Sequence, residues 1–298
     1  MVKTEFAVIG GSYAGLSAAL QLARARRDVT VVDAGLRRNR FVDEAGGTSH
    51  GFLSRDGVAP GAIAAEARRQ LLRYPTVRWM EGMAEDARQR EGGHFEFRVG
   101  ERTVEAARLV LATGVRDELP AVAGLAERWG RSIFHCPYCH GYELEAGPIG
   151  IIAASEMAQH QAMMLPDWGT PTLFLNDAYR PSDEDLAAFA RRGTQVEAAR
   201  IVRIEGRADV VLADGRTLSM NGLFTQPRSH IGSSIAAQLG CALAQGPMGA
   251  FIQVDAMQQT SVPNVLACGD AARAAGNVAL AVADGAMAGV AAHRSTMY

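Results

Sequence analysis

The sequence predicts an α/β protein built from βαβ nucleotide-binding units, and three observations carry that prediction. Phe6–Ile9 reads as a buried strand that runs into Gly10-Gly11-Ser12-Tyr13-Ala14-Gly15, then a helical stretch from Leu16 to Ala25. A second strand, Val29–Val32, follows and ends on Asp33. Strand, glycine turn, helix, strand and acid, in that order, form the dinucleotide fingerprint in the context its chemistry needs. A second unit of the same rhythm starts at Ile149–Ile152 and returns at Thr172–Leu175. Glycine and alanine are plentiful while aromatics make up only 6% of the chain, which suits helices lying close on a sheet.

At 298 residues the chain is long enough for one large domain or two medium ones. A net charge of −2 with no basic run argues against nucleic acid or an anionic membrane surface as partner. No stretch is long and apolar enough to span a bilayer, and the N-terminus runs directly into a strand, so the expected address is the cytoplasm.

In the first unit, Gly10 permits the tight turn and Gly15 lets helix and strand approach. The helix N-terminus is placed to receive a pyrophosphate, and Asp33 is spaced to hydrogen-bond a ribose. Ser12 replaces the usual middle glycine; its side chain crowds the pyrophosphate and offers it a donor. Arg37-Arg38-Asn39-Arg40 reads either as a solvated charge cluster or as a lining for nucleotide phosphates. Thr48 to Leu53 is a loop holding His50, and Ala59–Tyr74 is an amphipathic helix opened by Pro60. Val77–Met80 is a short strand. Phe95–Val99 and Arg102–Ala106 read as a surface hairpin, and Leu109–Ala112 as a buried strand ending at Thr113-Gly114. Late in the chain a strand runs into Gly269-Asp270, and Val278–Ala292 is an apolar Gly/Ala-rich helix.

The stretch from Phe134 to Glu143 contains Cys136-Pro137-Tyr138-Cys139-His140. Two cysteines at this spacing can close an exchangeable disulfide, with a thiolate favoured where a helix begins. Pro137 suits a first helical position. His140, beside the second sulfur, can carry a proton near neutral pH. Half of a zinc site and a structural bridge are the alternatives. Zinc needs two further ligands, yet Cys241 and Cys268 stand singly and no His-x-x-x-His pair occurs. A structural bridge is disfavoured in a chain with no secretory signal.

Taken together, GGSYAG, the acid, ATG, CPYC and ACGDA resemble the low-molecular-weight thioredoxin reductases and related FAD-dependent dithiol/disulfide oxidoreductases, over essentially the whole chain. CPYCHGYE followed by His160-Gln161-Ala162 is most similar to the branch with gliotoxin- and holomycin-type dithiol oxidases. The resemblance implies two Rossmann-like, three-layer ββα nucleotide-binding domains, the second inserted in the first. The discontinuous FAD-binding domain would span 1–117 and 246–298, and an NAD(P)H-type domain carrying the CxxC would span 118–245. FAD would be held by Gly10, Ser12, Tyr13, Ala14, Gly15 and Asp33 at its ADP half, with Asp270 of Gly269-Asp270 on the ribityl or pyrophosphate part. Asn39, Arg40, Thr113 and Gly114 complete the expected site, with His50 near the isoalloxazine and Met83-Ala84 bordering the adenine. The helix beginning at Asn277-Val278 would aim its N-terminus at the pyrimidine ring. Cys139 would exchange electrons with the flavin and Cys136 would meet the substrate sulfur. His140 stands where thioredoxin reductases usually have aspartate, with His135 and Glu143 as lesser acid/base candidates. Dimers are usual in the family, so a homodimer is expected.

The second nucleotide site departs from the pattern. Where Gly-x-Gly-x-x-Ala is expected, the chain reads Ala153-Ala154-Ser155-Glu156-Met157-Ala158, which burdens the turn and blocks the pyrophosphate. Asp177 would repel a 2′-phosphate where the family places His-Arg-Arg. This domain is therefore read as a shell that does not use NADPH, with weak NAD(P)H binding as the alternative. The expected substrate is a small-molecule or peptide dithiol, oxidised with oxygen as acceptor and with no metal. The alternatives are a disulfide reductase acting on a thioredoxin-like protein, fed by NAD(P)H or another donor, and a redox sensor without turnover. His230, after the strand Gly222–Thr225, is a lone loop histidine that either faces the substrate cleft or is polar surface.

Overall fold

The computed structural model describes residues 1–297. The chain opens with β1 (Val2–Ile9), α1 (Tyr13–Arg24), β2 (Val29–Asp33), α2 (Arg40–Glu44), α3 (Pro60–Leu71) and β3 (Val77–Glu81). A meander of β4 (Ala84–Gln89), β5 (Phe95–Val99) and β6 (Arg102–Leu111) follows. β3, β2, β1 and β6 lie side by side in parallel, and β5 and β4 extend the sheet antiparallel. Parallel strands covered on both faces read as continuous apolar runs, which is why Phe6 to Ile9 carries no alternation.

The expected surface hairpin is corrected in two ways. Arg102–Ala106 and Leu109–Leu111 are one continuous strand, β6, and Phe95 and Phe97 are fully buried. Phe-Glu-Phe-Arg-Val alternates, so one face is apolar, and that face is covered by Ile235, Ala236 and Ile252 from far along the chain. Burying each phenylalanine contributes about 1.5–3 kcal/mol.

β7 (Val115–Glu118) leads out to the inserted unit: β8 (Ile133–Phe134), α4 (Pro137–His140), β9 (Pro148–Ile152), α5 (Ala158–Met164), β10 (Thr170–Phe174), α6 (Asp183–Arg192) and β11 (Gln195–Glu197). An antiparallel layer of β12 (Ile201–Glu205), β13 (Asp209–Leu212) and β14 (Thr217–Ser219) precedes β15 (Gly222–Thr225). The parallel sheet runs β11-β10-β9-β15-β8, with the antiparallel layer packed on one face and α5 and α6 on the other. That is a ββα sandwich. α6 starts at a capping box between Ser182 and Asp185 and stops at Gly193 in the left-handed region, so its ends are set locally.

β16 (Arg228–Ile231) returns antiparallel to β7, making a two-stranded ribbon between the units. His230 lies on this strand rather than in a loop. α7 (Ile235–Gln238), β17 (Leu243–Gly246), β18 (Gly249–Ile252), β19 (Val265–Ala267) and α8 (Val278–Arg294) complete the chain. Ile235, Ala236 and Cys241 pack in the core of the first unit. β19 pairs with the C-terminal part of β6, on the edge whose earlier residues take β5. α8 lies directly on α1: a methyl on Gly285 or Gly289 would strike the carbonyl oxygens of Ala14 or Ala18. Among the described residues, no helix is long and apolar enough to cross a membrane.

Candidate active site

A cleft opens where β1 ends and α1 begins. Gly10 sits at φ +114°, and a Cβ there would lie 2.1 Å from the Ala112 oxygen. A Cβ on Gly15 would lie 1.7 Å from the Gly10 oxygen, so only glycine lets the helix start this close to the turn. Ser12, Tyr13 and Ala14 line the cleft with Gly10, whereas Gly15 stands behind the wall as a packing residue. Asp33 lines it from the end of β2, and its Oδ1 accepts from the Gly11 and Gly35 amides at 3.3 and 3.1 Å.

The remaining residues expected to hold the nucleotide gather in the same wall, with one exception. Asn39, His50, Met83, Ala84, Thr113 and Gly114 all line the cleft, as do Gly269, Asp270, Asn277 and Val278. Arg40 does not: its guanidinium lies over the Phe41 ring, 4.1 Å from the centroid, and donates to the Arg37 carbonyl. Arg38, with Arg37, lines the wall instead. It donates to Asp117 at 2.9 and 2.7 Å and to Asp270 at 3.2 Å. Burial works against its charge, but the hydrogen bonds and charges of Asp117 and Asp270 outweigh it and raise its pKa. Its carboxylate partners are remote in sequence, so no local signal marks it.

Two features test whether a dinucleotide such as FAD fits. Asn39 Oδ1 and Thr113 Oγ1 are buried without hydrogen-bond partners, both on cleft-lining residues. α8, whose N-cap Asn277 accepts from the Leu280 amide at 2.8 Å, presents its positive end to the cleft. A polar ligand with an anionic part matches both.

Cys136 and Cys139 form a disulfide across the start of α4, with Cys136 as N-cap and Pro137 in the first turn. Cys139 lies in the cleft wall beside His135 and His140; Cys136 does not. Tyr138 is exposed and meets Trp168 edge-on at 5.0 Å. His140 stacks on Phe134 with centroids 4.3 Å apart. Burial, and then the charge of His50, push its pKa down to about 4. The proton carrier expected near neutral pH is thus corrected: this imidazole stays neutral there, because enclosure and the charge of His50 disfavour its cation. Burial, then Arg38 and His140, hold His135 at about 3. Glu143 reaches back to His50 across the units, Oε1 to Nε2 at 3.3 Å. His230 bonds Glu118 at 2.6 Å on the ribbon.

At the second fingerprint position, Ala154, Ser155 and Glu156 are exposed between β9 and α5, and Ser155 Oγ is occupied by the Met157 amide. Asn176 and Asp177, after β10, both take left-handed backbone, at φ 47° and 58°. Asn176 Oδ1 accepts from the Ile201 amide and Asp177 is exposed. Among the described residues no group of three His, Cys, Asp or Glu side chains is placed to hold a metal.

A ββα nucleotide unit, a second one inserted in it and a disulfide opening on the first unit's cleft define a flavoprotein-type oxidoreductase. The chain belongs to the pyridine nucleotide-disulphide oxidoreductase family, whose sequence profile matches residues 4–288. It is similar to thioredoxin reductase tcpT of Claviceps purpurea, 33% identical over 95% of this chain and 91% of the relative. An oxidoreductase from Agrobacterium tumefaciens has the same fold at a TM-score of 0.95, with 57% identity over 99% of both chains. The structure of HlmI superposes at 0.90, with 32% identity over 99% of this chain and 93% of that one. The resemblance to thioredoxin reductases and the gliotoxin/holomycin-type branch is borne out.

Proposed function

We propose that this protein is an FAD-dependent enzyme that oxidises a small-molecule or peptide dithiol to a disulfide through Cys136 and Cys139, with oxygen as acceptor. The observation that carries the reading is Cys139 in the wall of the fingerprint cleft, with Cys136 outside that wall. Gly10 to Ala14, Asp33, Asn39, Thr113 and Asp270 would hold FAD. Bound there, FAD supplies a two-electron acceptor that returns the pair to oxygen.

The chain's own residues then do the sulfur chemistry. A substrate thiol gives up its proton as its sulfur attacks the Cys136 sulfur, the Cys136–Cys139 bond breaks, and Cys139 leaves as a thiolate facing the cleft. The positive end of α8 favours that negative charge. The second substrate sulfur attacks the mixed disulfide, closing the product and freeing Cys136. Neutral His140, next to Cys139, accepts the proton that each attack releases. The altered second nucleotide site, with Ser155 and Glu156 in place of glycine chemistry and Asp177 after β10, is not needed for this cycle.

The name of tcpT supports a second reading, a reductase of disulfides or of a thioredoxin-like protein fed by NAD(P)H. Anaerobic titration of the purified flavoprotein separates the two. Bleaching of the flavin band by a dithiol but not by NADPH, with peroxide formed on aeration, is the expected result. Bleaching by NADPH followed by turnover with thioredoxin would replace oxidase by reductase. We further propose a homodimer formed through the outer face of α8.

A further inference from the structure

His50 stands at the boundary between the two units with carboxylates on both sides. Its Nε2 lies 2.9 Å from Thr48 Oγ1 and 3.3 Å from Glu143 Oε1, and its Nδ1 lies 3.6 Å from Asp56 Oδ1. Asp56 is held by the Gly51 amide at 2.8 Å. Glu143 belongs to the same short segment as the cysteines, in the turn Tyr142–Leu144 directly after α4. His50, His140 and Cys139 all line one cleft. Exposure rises outward along this line: His50 is 19% exposed, Glu143 41% and Asp56 68%.

We propose that His50 is a proton-relay residue that takes the proton from His140 during dithiol exchange and passes it to solvent through Glu143 and Asp56. The proposal rests on the dithiol-oxidising reading. A substrate thiol loses its proton to His140 as its sulfur bonds to Cys136 and the Cys136–Cys139 bond breaks, the electron pair of that bond going to Cys139. A buried imidazolium at His140 is a poor resting place for that proton, since enclosure and the neighbouring His50 hold its pKa down at about 4. His50 lies between two carboxylates, Glu143 at 3.3 Å and Asp56 at 3.6 Å, so a proton passed to its ring meets negative charge on both sides. The second attack releases a second proton, so the path must clear between the two. Two partly exposed carboxylates at the outer end do that. The titratable groups facing His50 are Glu143, Asp56 and His140.

The test measures opening of the Cys136–Cys139 bond in the oxidised holoenzyme by dithiothreitol without oxygen, using rapid acid quench, thiol alkylation and mass spectrometry from pH 5.5 to 8. In His50→Gln the rate at pH 7 is expected to fall on the order of 10²-fold, and the rise of rate across the imidazole range to disappear. Glu143→Gln, which keeps the ring and the turn, should give a smaller loss in the same direction and also carries the test if His50→Gln is insoluble. A wild-type rate and pH profile in both variants would overturn the relay. A wild-type disulfide that dithiothreitol does not open at all would overturn the dithiol reading itself.

Discussion

Arg38 holds Asp117 with two hydrogen bonds, Nε at 2.9 Å and Nη2 at 2.7 Å, and so ties the loop after β2 to the ribbon that joins the units. Ser229, on the returning strand of that ribbon, donates to the same carboxylate at 3.0 Å. Nη1 of Arg38 meanwhile reaches Asp270 in the cleft. One guanidinium thus joins the nucleotide cleft to the connection that carries the disulfide unit.

Because this pair is largely buried, removing Asp117 leaves the Arg38 guanidinium with Asp270 as its one carboxylate partner and two of its donors unmet. Asp117→Ala is expected to destabilise the protein by about 1–3 kcal/mol. Arg38→Met with Asp117→Ala together should cost less than the sum of the two single changes, since the two residues are in direct contact and their interaction is lost only once. Arg38→Lys should not rescue, because an ammonium cannot bridge two carboxylates as the planar fork does. Urea unfolding of the four proteins measures the cycle; strictly additive losses would show that the two residues act separately.

The buried histidines set an acid limit on stability. His140 is held at about 4 and His135 at about 3, both depressed chiefly by burial, against 6.5 for a free imidazole. Between pH 6.5 and 4 the unfolded chain therefore binds more protons at these positions than the folded one. Stability is full above 6.5 and falls as pH drops, by up to about 1.4 kcal/mol per pH unit for each group. Urea midpoints at pH 7.5, 6.5, 5.8 and 5.2 should decline through the last three, ahead of carboxylate protonation. His140→Gln should make that decline shallower. A midpoint that stays level to pH 5.2 would mean both rings reach water in the folded protein.

What could be read from the sequence is what neighbours along the chain decide. The Gly10 turn, the packing at Gly15 and the acid at Asp33 sit within one βαβ unit, and Pro137 opens α4 by its own fixed φ. The partners of Arg38 stand 79 and 232 residues away, so the four-residue polar run alone does not single it out. Phe95 and Phe97 alternate with charges and looked half exposed; the residues that cover them arrive after the inserted unit. For His140 the residue type suggested a neutral-pH carrier, while the enclosure that lowers its pKa is a property of packing alone. The pairing of His50 with Glu143 needed both units in place.

α8 is apolar nearly all round, which is unusual for a helix at a protein surface. Its inner face of Ala281, Gly285, Ala288, Gly289 and Ala292 is spent on α1 and the first sheet. Leu280, Met287 and Val290 are nevertheless exposed. Leu280 and Met287 are seven residues apart and Val290 follows three later, the spacing of a seam that a second helix can fill. A twofold dimer would bring the same three residues from each copy together and bury what one copy leaves in water. Met287→Glu with Val290→Glu places four carboxylates in that seam while touching neither α1 nor the cleft. Light scattering on the eluting protein is expected to show the wild type at twice the chain mass and the double variant at the chain mass, with the flavin band retained. A wild type that elutes as a monomer, or a double variant that stays dimeric, would assign this face no part in assembly.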